Sequence, residues 1–150
     1  MLKKLLHTEN DYGGLVARLA LGIVMFPHGA QKVLGWFGGY GFAGTMTFFT
    51  ETIGIPYLVA LLVVLAEFLG SIGLIVGALT RIAALGISSV MLGAILLVHL
   101  PNGFFMNWGG NQAGEGFEYH LLAIGLALVL ILRGAGALSI DRIITRRLGG

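Results

Sequence analysis

The sequence predicts an all-α integral membrane protein: one bundle of four transmembrane helices over residues 1–150, with both termini cytoplasmic, a short interfacial helix after the first span and a basic amphipathic tail. Three observations carry this expectation. Of the 150 residues, 57% are hydrophobic and 11% charged, and the mean hydropathy of +0.92 is far above that of a soluble globular domain. The apolar residues fall in long runs, and spans of roughly 20 residues with short connections use up such a chain after about four passes. Lysine and arginine gather on one side of those passes, as cytoplasmic flanks do.

The opening Met1 to Leu6 resembles the start of a signal peptide, but the polar block His7-Thr8-Glu9-Asn10-Asp11 interrupts it. No small-residue cleavage site follows at the usual distance, so the first span is expected to remain as an uncleaved anchor. That span covers residues 14–34. Arg18 sits low in it, where its stem can snorkel to the headgroups. Pro27 lacks an amide donor, which frees the Ile23 carbonyl and kinks the helix beside His28. The span closes on His28-Gly29-Ala30-Gln31-Lys32. Ionisable groups within a span are costly and mark function by default.

In the first connection Phe42, Met46, Phe49 and Ile53 share one helical face, too short to span and suited to the interface. A plain loop is the alternative. The second span, residues 56–77, opens at Pro56, a favoured first helical position. Its mid-membrane Glu67 shares a face with Gly70 and Ser71, small residues that allow close helix approach, so it faces protein. The third span, residues 82–100, ends at His99. The connection from Pro101 to Gly116 is glycine-rich and aromatic, a composition that can fold over the mouth of a pocket. The fourth span, residues 119–138, is entered through Glu118, Tyr119 and His120. The tail from Ser139 to Leu148 alternates apolar and basic residues at helical spacing, which fits anionic headgroups better than nucleic acid.

With four passes Lys3, Lys4, Arg81, Arg133, Arg142, Arg146 and Arg147 fall on one side, and Glu51, Glu115 and Glu118 on the other. The first set marks the cytoplasm. His28 before Trp36-Phe37-Gly38-Gly39 and His99 before Trp108-Gly109-Gly110 form a weak echo, compatible with two related hairpins or with coincidence. At 1.5 Å rise per residue, His28 and His99 lie roughly 20 and 25 Å from the cytoplasmic ends of their spans, and Glu67 roughly 15 Å. These depths allow one shared pocket in the outer half of the bundle. Each member also has an ordinary use: an ion pair of Glu67 with Arg18 or Lys32, interhelical hydrogen bonds for His28 and His99, and interface anchoring for Trp36, Trp108, Tyr40, Tyr57, Tyr119 and His120.

Without cysteine the chain forms no disulfide, performs no thiol exchange and ligates no cluster through sulfur. It carries no flavin or nicotinamide motif.

The ordered set Arg18-Leu19-Ala20-Leu21-Gly22, His28 to Lys32, Gly35 to Gly39, Gly54-Ile55-Pro56 and Glu67 to Gly70 resembles the DoxX family of small four-helix membrane proteins. Gly77 to Arg81, His99, Gly103-Phe104-Phe105, Gly116 to Tyr119 and Leu138 to Asp141 extend the likeness over nearly the whole chain. The resemblance implies a protein of the bacterial or archaeal plasma (inner) membrane linked to redox chemistry. Relatives include the small membrane subunit of a thiosulfate:quinone oxidoreductase, and others associate with enzymes of oxidative-stress defence and sulfur transfer. Carried onto this chain, the family's polar positions are His28, Lys32, Glu67, His99 and Glu118.

The expected function is that of a redox-associated subunit offering a quinone-type or other small ligand an outer-half pocket. His28, His99 and Glu67 would carry the chemistry, and Gln31, Lys32, Trp36, Trp108, Glu118 and Tyr119 would bind the ligand, with no resident metal. His28 and His99 would donate to a ligand carbonyl, Lys32 would steady negative charge, and Glu67 and Glu118 would exchange protons. Electrons would come from a partner redox or sulfur-metabolism protein, and a homo-oligomer is compatible with the pattern. Paired haem ligation by His28 and His99 is a less ordinary use of such residues. A non-catalytic anchor or scaffold, and a transporter of protons or small solutes, are the alternatives.

Overall fold

A computed structural model describes residues 5–149, so Lys3 and Lys4 of the charge argument lie outside the described residues. Helix α1, Tyr12–Leu34, starts where the Asp11 side chain accepts the Gly13 amide at 2.9 Å and runs unbroken through Pro27. It stops at Gly35, whose φ of 71° is the left-handed conformation that terminates helices. Helix α2, Gly41–Thr47, continues as a π-helical turn over Phe48–Thr52, so the first connection is helical.

Helix α3, Tyr57–Val76, begins directly after Pro56. Helix α4, Thr80–Ala94, is prolonged by a π-helical turn, Ile95–His99, and a 3-10 turn, Leu100–Asn102. Helix α5, Glu118–Arg133, and helix α6, Ile140–Gly149, complete the chain.

Among the described residues three helices are long and apolar enough to cross a membrane: Tyr12–Leu34, Tyr57–Val76 and Thr80–Asn102. With 16 residues, α5 is shorter, about 24 Å at helical rise. Helix α1 packs on α3, α3 on α4, α4 on α5, and α5 back on α1, so the four form a closed ring. Leu21, Met25, Leu74, Ile87, Ala127 and Leu130 fill its centre. Val16, Leu58, Leu69, Leu85, Leu122 and Leu132 face outward and exposed, an apolar surface suited to lipid.

The fourth helix ends five residues earlier than the apolar run suggests. Residues 134–138 form a strap instead of a last helical turn, buried over 134–137 with the Leu138 side chain exposed, because Gly134, Gly136 and Leu138 all take positive φ. The strap is held by Arg18, which is 1% exposed and so does not snorkel to headgroups. Its guanidinium donates to the carbonyls of Leu74, Ile75, Ala135, Ala137 and Leu138, joining α1, α3 and the strap. Beside it, Asp141 accepts the amides of Leu79 and Thr80 at 2.8 and 2.9 Å, capping α4 from outside that helix. Arg81 donates to the carbonyls of Ile131, Leu132 and His7, tying α4 to α5 and to the chain's start. Arg133 pairs with Asp11 at the same end. One end of the bundle is therefore latched by polar contacts, and the site lies at the other.

Candidate functional site

Helices α1 and α3 meet through glycine. A Cβ on Gly29 would lie 2.6 Å from the Phe68 Cα, so only hydrogen lets the two backbones touch there. This approach carries Lys32, almost one turn beyond Gly29, to Glu67. Lys32 Nζ lies 2.6 Å from Glu67 Oε2, with the two side chains 24% and 5% exposed. The sequence left Arg18 or Lys32 open as the partner; Lys32 is the one, since Arg18 is committed to carbonyls at the latched end. At that depth each charge is tolerated because the other lies beside it.

Helices α3 and α4 touch near their shared turn and part above it. A Cβ on Gly86 would sit 3.2 Å from the Ala66 Cβ, whereas one on Gly93, two turns further along, would meet nothing within 4 Å. The gap widens into a cavity of about 690 Å³, within the ~300–1,000 Å³ typical of small-molecule sites. His28, Lys32, Glu67, His99, Tyr119 and His120 form its polar end, and Glu115 lines it from the loop before α5. Met25, Val59, Leu62, Ala66, Val90 and Leu97 form its apolar wall, with Phe48, Phe49 and Ile53 contributed by the segment after α1.

The rings at the polar end form a row. Tyr119 lies between His28 and His120, with centroids 6.3 and 5.5 Å away, and the His120 ring is 4.2 Å from that of His99. The Tyr119 hydroxyl points to Met25 Sδ at 3.5 Å. His99 sits on the π-helical turn, a distortion frequent at functional sites, and its Nδ1 lies 2.8 Å from the Glu115 carbonyl. A carbonyl only accepts, so Nδ1 carries the proton and Nε2 of the neutral ring is an acceptor. His120 is 6% exposed, and its buried Nδ1 has no hydrogen-bond partner. Buried imidazole nitrogens normally have one, so His120, whose ring lines the cavity, stands out among its polar groups.

Of the residues singled out from sequence, the structure brings His28, Lys32, Glu67, His99 and Tyr119 to the cavity. Others lie apart from it. Gln31 donates to the Phe37 carbonyl at 3.3 Å, Trp36 is exposed and edge-on to Phe37, and Trp108 is 88% exposed. Glu118 accepts the Met106 amide at 2.8 Å. That bond, with Phe117 and Glu118 amides donating to the Phe104 carbonyl, ties together the ends of a compact loop beside the cavity. His120, read from sequence as an interface residue, is inside. The signal was present: His120, Ala123, Ala127 and Leu130 form one buried stripe at helical spacing. No group of three or more His, Cys, Asp or Glu side chains able to hold a metal ion occurs among the described residues.

Long apolar helices around a cavity with one polar end define a helical membrane protein. The chain belongs to the DoxX family, which matches residues 13–100, from α1 to just past His99. It is 32% identical over 137 residues to "Inner membrane protein YqjF" of Escherichia coli, covering 91% of this chain and 95% of that protein. It is 31% identical over 131 residues to "Putative oxidoreductase CatD" of Bacillus subtilis, covering 87% and 86%. Over 158 aligned positions it is 30% identical to "Uncharacterized membrane protein Rv3486" of Mycobacterium tuberculosis, covering 96% and 88%. No solved structure matches it.

Proposed function

We propose that this protein is a redox-associated subunit of a bacterial or archaeal plasma membrane whose cavity holds the head of a quinone-type or other small ligand. The observation that carries the reading is a mostly apolar cavity lined at one end by the Lys32–Glu67 pair and by His120, whose buried Nδ1 has no hydrogen-bond partner. A quinone head has two acceptor carbonyls, and its reduction to the quinol consumes two electrons and two protons. Lys32 would stabilise negative charge on one ring oxygen, and His120 would donate to the other. Glu67 would relay protons. With Nδ1 donating to the Glu115 carbonyl, His99 Nε2 would accept a proton from a quinol hydroxyl, the reverse of the donor role expected from sequence. With no cysteine and no flavin or nicotinamide motif in the sequence, electrons would come from a partner redox or sulfur-metabolism protein. A relative named as an oxidoreductase supports this direction. That Lys32 and Glu67 already form an ion pair favours a scaffold as the second reading.

The experiment is to purify the protein from its own membrane and identify co-purifying lipid-soluble molecules by mass spectrometry. A stoichiometric quinone is the expected result, and its absence from active membranes would overturn the reading.

For topology we propose four passes, with α5 as the fourth and both termini cytoplasmic. Arg81, Arg133 and the start of the chain gather at the latched end, while Glu51 and the loop after α4 lie toward the other. Because the chain has no cysteine, single introduced ones report cleanly. In intact cells Asn111→Cys is expected to react with a membrane-impermeant maleimide, and Glu9→Cys only after lysis. The opposite pattern would invert the orientation.

A further inference from the structure

The cavity has a side opening as well as a polar end. Between α3 and α4 it is flanked by Leu62 and Leu97, each 57% exposed on the surface that faces lipid in a membrane. Between them Gly93 leaves open space where any other residue would intrude. Ser89, lower in the cleft, gives its hydroxyl to the Leu85 carbonyl of its own helix at 2.9 Å, so it asks nothing polar of an occupant. Above, Phe48 and Phe49 from the segment after α1 and Met106 from the loop before α5 line the site where water would otherwise approach. His28, Lys32, Glu67, Tyr119 and His120 gather at the inner end, Glu115 stands at the loop side, and the side opening between Leu62 and Leu97 is hydrocarbon-lined.

We infer that the occupant is an amphiphile with a long hydrocarbon tail that enters sideways from the bilayer, its head at Lys32, Glu67 and His120 and its tail between Leu62, Gly93 and Leu97. The inference rests on the head site proposed above and adds the ligand class and the route. A small water-soluble ligand would leave the apolar half without contacts. A tail placed there packs against leucine and valine and continues into lipid of the same character, with no polar group stranded. The cleft also explains why the helices part at a glycine.

The test compares two benzoquinones with the same dimethoxy-methyl head, one carrying a decyl chain and one without, by equilibrium binding to the purified full chain in nanodiscs. The wild type is expected to prefer the decyl form by about tenfold or more. Gly93→Trp, which places an indole in the open cleft, is expected to remove that preference. Gly125→Trp, equally unobstructed but on α5 away from the cavity, is expected to retain it. A decyl quinone with a photoreactive diazirine at the chain end checks the wild type directly, so the outcome does not hang on a variant folding. Label in residues 59–66 and 93–98 is expected. An unchanged preference in Gly93→Trp, or label confined to the 103–117 loop, would overturn lateral entry while leaving the head site standing. A wild type that binds neither quinone would overturn the head site and this inference with it. Label displaced only by phospholipid would mark the cleft as a lipid seat and likewise overturn it.

Discussion

Arg18→Ala is expected to lower the stability of the bundle by about 3–5 kcal/mol, since several buried carbonyls lose a charged donor at once and a large side chain is deleted from a packed site. The guanidinium is almost wholly buried and donates to five carbonyls on two segments far apart in sequence. Two of those acceptors, Leu74 and Ile75, belong to the last turn of α3, whose final carbonyls have no helical partner. Three more, Ala135, Ala137 and Leu138, belong to the strap. Removing the side chain leaves the Ile75 and strap carbonyls without a donor and Leu74 with only the Gly77 amide, and opens a cavity of arginine size. Lysine cannot replace it, because an ammonium has three donors on one atom and lacks the planar fork that reaches both segments. Thermal unfolding in one detergent should therefore place Arg18→Lys nearer to Arg18→Ala than to the wild type. A variant that melts with the wild type would show that the strap docks without the guanidinium.

The latch and the cavity divide the molecule into two ends of different build. At the latched end Arg18, Arg81 and Asp141 bind backbone atoms of neighbouring segments, so relative movement of the helices breaks several charge-assisted bonds at once. Toward the other end contact between α3 and α4 is given up after Ala66 and Gly86. A cleft there is affordable because the latch holds the same two helices together through the Gly77 turn, where Asp141 donates its amide to the Gly77 carbonyl.

What sequence could show follows from what is local. Regular helical rise sets the depth of His28, Glu67 and His99 without knowledge of neighbours, and those three do line one cavity. Small residues beside Glu67 announced a protein-facing position, and it is buried. The strap was hidden because Ala135, Ala137 and Leu138 are as apolar as a helix. Only capture of their carbonyls by Arg18, more than a hundred residues earlier, makes an extended path cost little. Arg18 was hidden for the same reason, since a low position in a span suits snorkelling until distant acceptors are known. Glu118 and Trp108 drew attention by type, but loop geometry sends one to a backbone amide and the other to the surface.

The second large effect is expected at Lys32. Lys32→Met leaves the Glu67 carboxylate, itself 4% exposed, buried without its cation, a loss of about 3–5 kcal/mol. Glu67→Gln is milder, about 1–3 kcal/mol, because the amide keeps the shape and can still accept from Lys32, which is 24% exposed and so less desolvated than Glu67. Combining the two removes both charges, so the double variant should be more stable than Lys32→Met alone. That reversal is the mark of a charge pair in a double-mutant cycle. Binding should respond differently. If the pair serves a ligand head, quinone affinity is lost in both single variants and stays lost in the double variant, although stability returns. The paired readout is thermal unfolding beside quinone binding for the wild type and all three variants. A double variant that recovers both stability and binding would show that the pair only sets helix register, and would favour the scaffold over the redox subunit.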